Sequence, residues 1–200
     1  RPKYAVTPLD GIRKRAGNAI QVTSALGVGM EGEDAAQDTP EARAKALKEA
    51  TDAAAKADLA VVVVGRYSKN EGEGFDVKMM DLPAGQDELI AAVGQANPRT
   101  VVVLNTGNPV TMTRWIDKTP TLLDMWFDGQ EGGTALASIL FGDASPSGKL
   151  PVSLPKKFSD SPAAANYPGK NLEVNYAEGI YVGYRYYDTR SVEPQFPFGF

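Results

Sequence analysis

The sequence predicts an α/β sandwich built on a mostly parallel sheet, and three observations carry the prediction. The runs "ADLAVVVVG" (57–65) and "TVVVLNTG" (100–107) are continuously apolar rather than alternating, which is the mark of strands buried on both faces. Stretches of helical period separate the apolar runs. Strand and helix then alternate at the spacing of βαβ units, which build a parallel sheet covered by helices.

The elements follow in order. "TPLDGIRKRAG" predicts a short helix with Thr7 as N-cap, Pro8 at the first helical position and Gly17 past its end. "AIQVTSAL" (19–26) alternates as a strand does, and the acidic, glycine-containing stretch 29–39 reads as a loop. Thr39-Pro40 opens a second helix, on which Ala46, Leu47, Ala50, Ala53, Ala54 and Ala57 form one apolar face. After the first apolar strand, "AGQDELIAAVGQA" predicts a helix that ends at Asn97-Pro98, and the second apolar strand follows. A short helix around "PVTMTRWI" leads to the strand "TLLDMWF", and the helix "GGTALASILFG" leads to the strand "GKLPVSLP". Beyond Pro155 the chain is loop-rich and aromatic, with "EGIYVGYRYYD" and "EPQFPFGF".

Composition narrows the chemistry. The 200 residues are 42% hydrophobic and 23% charged, with a net charge of −4, ordinary values for one soluble domain. The lack of any basic block argues against nucleic acid and anionic membranes as partners. No apolar run approaches the roughly 20 residues of a membrane span. The chain contains no cysteine and no histidine, which removes disulfides, the serine–histidine triad and histidine-based metal sites. Acid–base work falls to Asp, Glu, Lys or Tyr. The chain starts at Arg1 inside an extended-looking segment and stops at "FPFGF", so it reads as a piece of a longer polypeptide.

Ligands of open α/β sheets sit at the carboxyl ends of the strands. The segments leaving those ends here are "GRYSKNEGEGFD", "NTGNPV" and "WFDGQEGG". The first places Glu71, Glu73 and Asp76 within six residues, spaced by Gly72 and Gly74. One reading is a solvated acidic turn. A nucleotide-binding glycine loop fits poorly, because Val77 stands where a third glycine belongs and glutamates would repel a pyrophosphate. A calcium loop lacks its Asp-x-Asp-x-Asp-Gly spacing. In the third segment, Asp128 and Glu131 are candidates for catalysis, yet acids in a first helical turn usually serve the helix. Tyr181, Tyr184, Tyr186 and Tyr187 either stack on a sugar ring or, the better reading, pack against the sandwich or a partner, with Arg185 in a buried ion pair.

The order "TPLDGIRKRAG", "AVVVVG", "EGEGFD", "MDLPAGQDELIAAV", "ANPRTVVVLNTGNPV", "MWFDGQEGG", "LFGDASPSGKLPVSLPK", "EGIYVGYRYYD" and "PQFPFGF" closely resembles the C-terminal α/β-sandwich domain of family 3 glycoside hydrolases, the β-glucosidase and β-xylosidase group. The resemblance covers nearly the whole of residues 1–200. It implies a three-layer sandwich of (α/β)6 type, truncated at its N-terminal strand, taken from a larger multidomain enzyme. It implies no cofactor and no metal. In the family this domain follows a barrel that supplies an aspartate nucleophile and most contacts to the terminal sugar, and the sandwich supplies the general acid/base.

That acid/base is a glutamate in a loop commonly written Ser-Glu-Gly-x-Asp, and Gly72-Glu73-Gly74-Phe75-Asp76 matches it with glycine for serine. The resemblance therefore implies Glu73 as catalytic acid/base, in a loop supported by Glu71, Gly72, Gly74 and Asp76. Val77 departs from the arginine that often follows the aspartate, so an ion pair from that position is not expected. Neighbouring carboxylates would help Glu73 keep its proton until it donates. The expected partners are a β-glucoside or short oligosaccharide and the N-terminal barrel, with no nucleic acid and no membrane. The family also points to a secreted or periplasmic enzyme. The rival reading from another class is a non-catalytic sugar-binding or scaffolding α/β module.

Overall fold

A computed structural model describes residues 3–29, 39–67, 70–74, 77 and 79–200. The regular elements are helix α1 (Pro8–Ala16), helix α2 (Pro40–Lys56), strand β1 (Ala60–Gly65), helix α3 (Gln86–Ala96), strand β2 (Thr100–Asn105), strand β3 (Thr121–Asp124), helix α4 (Gly132–Leu140) and helix α5 (Tyr184–Arg190). The residues divide into two compact units. One holds the chain up to Gly65 with Pro83–Thr106 and Trp115–Pro146; the other holds Arg66–Leu82, Gly107–Arg114 and Ser147–Phe200.

The first unit is the sheet and its helices. The strands lie in the order β1-β2-β3 and every pairing is parallel. Val62 pairs with Val102, Val63 with Val103 and Gly65 with Asn105, and β3 continues the register with Leu104 opposite Asp124. Side chains alternate between faces along a strand. Val101 and Val103 of β2 cluster with Leu136 and Leu140 of α4, Ile12 of α1, Val61 and Leu123. Val62, Val64, Val102 and Leu104 therefore face the other way, where α3 packs on β1 and β2 and α2 packs on α3. Helices thus cover both faces, and the predicted three-layer α/β arrangement stands in this unit.

Local chemistry explains the helix ends. The Thr7 side chain accepts from the Asp10 backbone N–H and that of Thr39 from Ala42, each with proline at the first helical position. Asn97 closes α2 against α3 by donating from Nδ2 to the Ala54 and Ala57 carbonyls, both at 2.9 Å, while its Oδ1 accepts from the Arg99 N–H. Trp115, fully buried, donates from Nε1 to Asp87 at 3.0 Å.

Three expectations fail, each for a physical reason. "AIQVTSAL" is not a strand, because this exposed stretch finds no ladder partner among the described residues. "PVTMTRWI" does not form a helix: the Thr111 N–H donates to the Met80 carbonyl, and only a 3-10 turn, Ile116–Lys118, follows. "GKLPVSLP" meets the C-terminal segment at a single antiparallel bridge, Leu154–Phe196. Pro151 and Pro155 lack the N–H that a longer ladder needs.

The second unit contains that bridge. Leu154 donates to Phe196 at 2.9 Å and accepts from Gln195 at 2.7 Å, and Leu150 accepts from Gly199. Helix α5 was not foreseen in the aromatic segment. Its Tyr187 is buried, and burial pushes the phenol up to about 12.

In the first unit α1 and α4 approach each other closely through glycines. A Cβ built on Gly11 would lie 1.9 Å from the Gly133 carbonyl oxygen, and one on Gly133 would lie 2.0 Å from that of Thr7. Gly11→Ala should lower the unfolding free energy by about 1–3 kcal/mol, since overpacking against backbone outweighs the gain in helix propensity of up to about 1 kcal/mol. Urea denaturation measures the difference, and an unchanged or higher midpoint would show that the helices separate freely.

Candidate active site

The carboxyl ends of the strands launch the segments that the sequence singles out. β1 ends at Gly65, whose register partner is Asn105. A Cβ on Gly65 would lie 2.0 Å from the Asn105 carbonyl oxygen, so the position requires glycine. On its other side, the Gln86 side chain accepts from the Gly65 N–H and donates to the Gly65 carbonyl, both at 2.8 Å. The first residue of α3 thus completes the hydrogen bonding of the last residue of β1, and the chain leaves from a fixed point.

The acid loop, 66–82, lies in the second unit. Arg66 is only 6% exposed, and its Nη2 donates to the Met79 and Asp81 carbonyls, each at 2.8 Å. The residue that opens the loop therefore holds the strand of chain that closes it. Burial lowers the pKa of this guanidinium, and the nearby charges of Glu71 and Asp81 oppose that shift. A guanidinium supports this loop after all, from its start rather than from position 77.

Inside the loop, the N–H groups of Asn70 and Glu71 both donate to the Tyr67 carbonyl, at 2.8 and 3.0 Å, which makes one tight turn. Glu71 is 8% exposed, and its Oε1 accepts from Asn108 Nδ2 at 2.5 Å. Glu71 is therefore not the solvated charge that an acidic loop suggests. It is a buried anchor. Two residues on, Glu73 is exposed, between exposed Gly72 and Gly74, and Gly74 has a φ of 93° that favours glycine. Phe75 and Asp76 lie outside the described residues.

The segment that follows β2 holds the returning limb as well. The Thr111 N–H donates to Met80 at 2.9 Å, its hydroxyl donates to the Asp81 carboxylate, and Arg114 lies 3.8 Å from that carboxylate. Among the described residues, Arg66 Nη1, Asn70 Oδ1 and Glu71 Oε2 are buried without a hydrogen-bond partner. All three belong to this loop, and each such group carries a desolvation penalty.

Of the remaining candidates, Glu131 has a structural role. Glu131 accepts from Tyr4 at 2.6 Å and from Thr134 at 2.8 Å, and these two bonds hold its carboxyl below the usual range. Asp128 is exposed and meets Asn105 Nδ2 at 3.4 Å. Arg185 is exposed and lies over the Tyr184 ring at 5.5 Å, so the expected buried ion pair does not form among the described residues. Tyr184 packs against Phe198 with ring centroids 5.1 Å apart. Tyr181 and Tyr186, with Asn166, Glu178 and Arg190, line an open cavity of about 420 Å³ in the second unit that includes no described residue of the acid loop. Among the described residues no group of carboxylates could hold a metal, and no helix is long and apolar enough to cross a membrane.

The sequence signature of the glycosyl hydrolase family 3 C-terminal domain matches residues 1–184. A β-glucosidase of Rhizobium radiobacter is 49% identical over 158 residues, which cover 77% of this chain and 19% of that protein. The crystal structure of a Bifidobacterium adolescentis GH3 β-glucosidase superposes with a TM-score of 0.88 at 38% identity, over 100% of this chain and 28% of the other. The structure of a Kluyveromyces marxianus β-glucosidase in complex with glucose gives a TM-score of 0.77 at 41% identity, over 79% of this chain and 19% of that one. The chain spans less than a third of the length of each.

One acid at the carboxyl end of the sheet has a predictable effect on stability. Asp124, at the end of β3, is raised by burial, and the Trp126 N–H that donates to its Oδ1 at 3.2 Å only partly offsets this. Its folded pKa lies above its unfolded one, so ionisation opposes folding increasingly as pH rises through both. Asp124→Asn keeps an oxygen for Trp126 and removes the charge. The variant should gain stability over the parent at pH 8 and lose that advantage near pH 3. Urea midpoints at the two values test this, and an equal difference at both would contradict it.

Proposed function

The chain belongs to the glycosyl hydrolase family 3 C-terminal domains, and on that footing we propose that it is the acid/base-bearing domain of a retaining β-glucosidase. One observation carries the proposal. Glu73 is an exposed carboxyl on a loop that is pinned before it by Glu71 and closed behind it by Arg66, and it fills the glutamate position of the family motif.

The chemistry follows from two carboxyls about 5–5.5 Å apart. An aspartate of the barrel domain attacks the anomeric carbon of a terminal non-reducing β-D-glucosyl residue. Glu73 gives its proton to the glycosidic oxygen as that bond breaks, and the leaving group departs as an alcohol. Glu73, now a carboxylate, takes a proton from water, and the hydroxide attacks the anomeric carbon and frees the aspartate. Glucose leaves with the anomeric configuration retained. The fold holds one carboxyl of this pair; the barrel of the full polypeptide supplies the other. Asp76 is the further supporting residue of the proposed loop.

In the full-length enzyme, Glu73→Ala should slow cellobiose hydrolysis by about 10²–10⁴. Azide should restore part of the turnover with activated aryl glucosides and yield a glycosyl azide, because it attacks the glycosyl-enzyme without help from a base. Near-parental cellobiose turnover would show that another residue is the acid. The purified 200-residue chain should hydrolyse no aryl glucoside, since it lacks the partner carboxyl, and measurable hydrolysis would refute the division of labour between domains.

A further inference from the structure

We infer that Asn108 is a positioning residue for Glu73, an inference that rests on the proposed acid/base role of that glutamate. Its motivation is how the loop is held. Glu73 is an exposed carboxyl between two glycines, so neither chain neighbour has a side chain to fix it. Its placement depends on the nearest rigid point in the chain, which is Glu71. The Glu71 backbone is set by the turn onto the Tyr67 carbonyl, and its buried side chain is set by Asn108 Nδ2 at 2.5 Å. A hydrogen bond to a charged acceptor is among the stronger ones available.

Asn108 does not act from an isolated position. Within the same segment, Thr111 binds both the Met80 carbonyl and the Asp81 carboxylate, and Arg114 faces Asp81. Residues 107–114 thus grip the loop on its outgoing limb through Asn108 and on its returning limb through Thr111 and Arg114. The returning limb has a second hold, because Arg66 Nη2 binds Met79 and Asp81. On the outgoing limb, Asn108 is the side chain that fixes Glu71 Oε1. Releasing Asn108 should therefore let Glu73 drift while the loop stays closed. A misplacement of about 1 Å of a catalytic group costs on the order of 10²-fold in rate.

The test uses the full-length enzyme and compares kcat/KM for cellobiose with that for 2,4-dinitrophenyl β-glucoside. The first needs a proton on its leaving group and the second does not, and kcat/KM reports the glycosylation step for both. Asn108→Ala should lower kcat/KM for cellobiose roughly 10- to 100-fold and for the dinitrophenyl glucoside less than about threefold. Glu71→Ala should repeat this pattern, and Glu71→Gln, which keeps a carbonyl for Asn108 to donate to, should lose several-fold less than Glu71→Ala. Adding Asn108→Ala to Glu73→Ala should cost little more. An equal loss with both substrates would mean general loosening and would overturn the inference, as would no loss at all. A Glu73→Ala enzyme that shows the leaving-group-dependent loss beside an unaffected Asn108→Ala enzyme would overturn this inference alone. A Glu73→Ala enzyme without that loss would overturn the acid/base reading and this inference with it.

Discussion

The register of β1 on β2 is the constraint from which the rest follows. Val62 faces Val102, Val63 faces Val103, and both β2 valines are completely buried. A slip of one residue would turn every side chain of the strand to the opposite layer, and the helices on the two faces present different partners. The register also sets Gly65 beside Asn105, where only a glycine fits. The two segments that hold the acid loop therefore start from neighbouring strand ends, about 4.8 Å apart. Asn108 lies three residues past one end and Glu71 six past the other.

How much of this could be read from the sequence depended on the range of the interaction. β1 and β2 were plain, because an unbroken run of valines has no better use than a strand covered on both sides. Helices α1 and α2 were plain as well, since Thr7-Pro8 and Thr39-Pro40 write their caps within four residues. Residues 19–26 and 148–155 carried strand-like composition, but a strand exists only with a partner, and propensity cannot supply one. At the candidate site, Glu73 was marked by its motif. The burial of Glu71 was not, because an acid in a glycine-rich loop ordinarily stays in water. Asn108 was marked only by its place in "NTGNPV" at a strand's carboxyl end, and nothing there pointed to Glu71, 37 residues away. The guanidinium missing at Val77 had a counterpart at Arg66, but only the folded loop shows that Arg66 reaches the carbonyls of Met79 and Asp81.

The acid loop is also where the fold gives up polar satisfaction. Among the described residues, Arg66 Nη1, Asn70 Oδ1 and Glu71 Oε2, all within six residues of chain, are buried and find no partner, whereas Asn97, just past α3, and Thr100, which opens β2, find theirs. Local rules are broken most often where a protein does chemistry. A loop secured by a few strong, directional bonds can keep one carboxyl in place while leaving that carboxyl free of packing.

The Gln86 side chain that satisfies both polar groups of Gly65 has a consequence for solubility. Among the described residues β1 has a strand neighbour on one side only, and four of its six residues are consecutive valines, 61–64. An uncharged β-branched segment at a sheet edge is a template for cross-β growth. Gln86 occupies the ladder positions of Gly65 and so blocks templating at the last residue of the strand. Among the described residues no strand pairs with the valines before it on that side, which makes them the segment through which partly unfolded copies of this chain would add to one another.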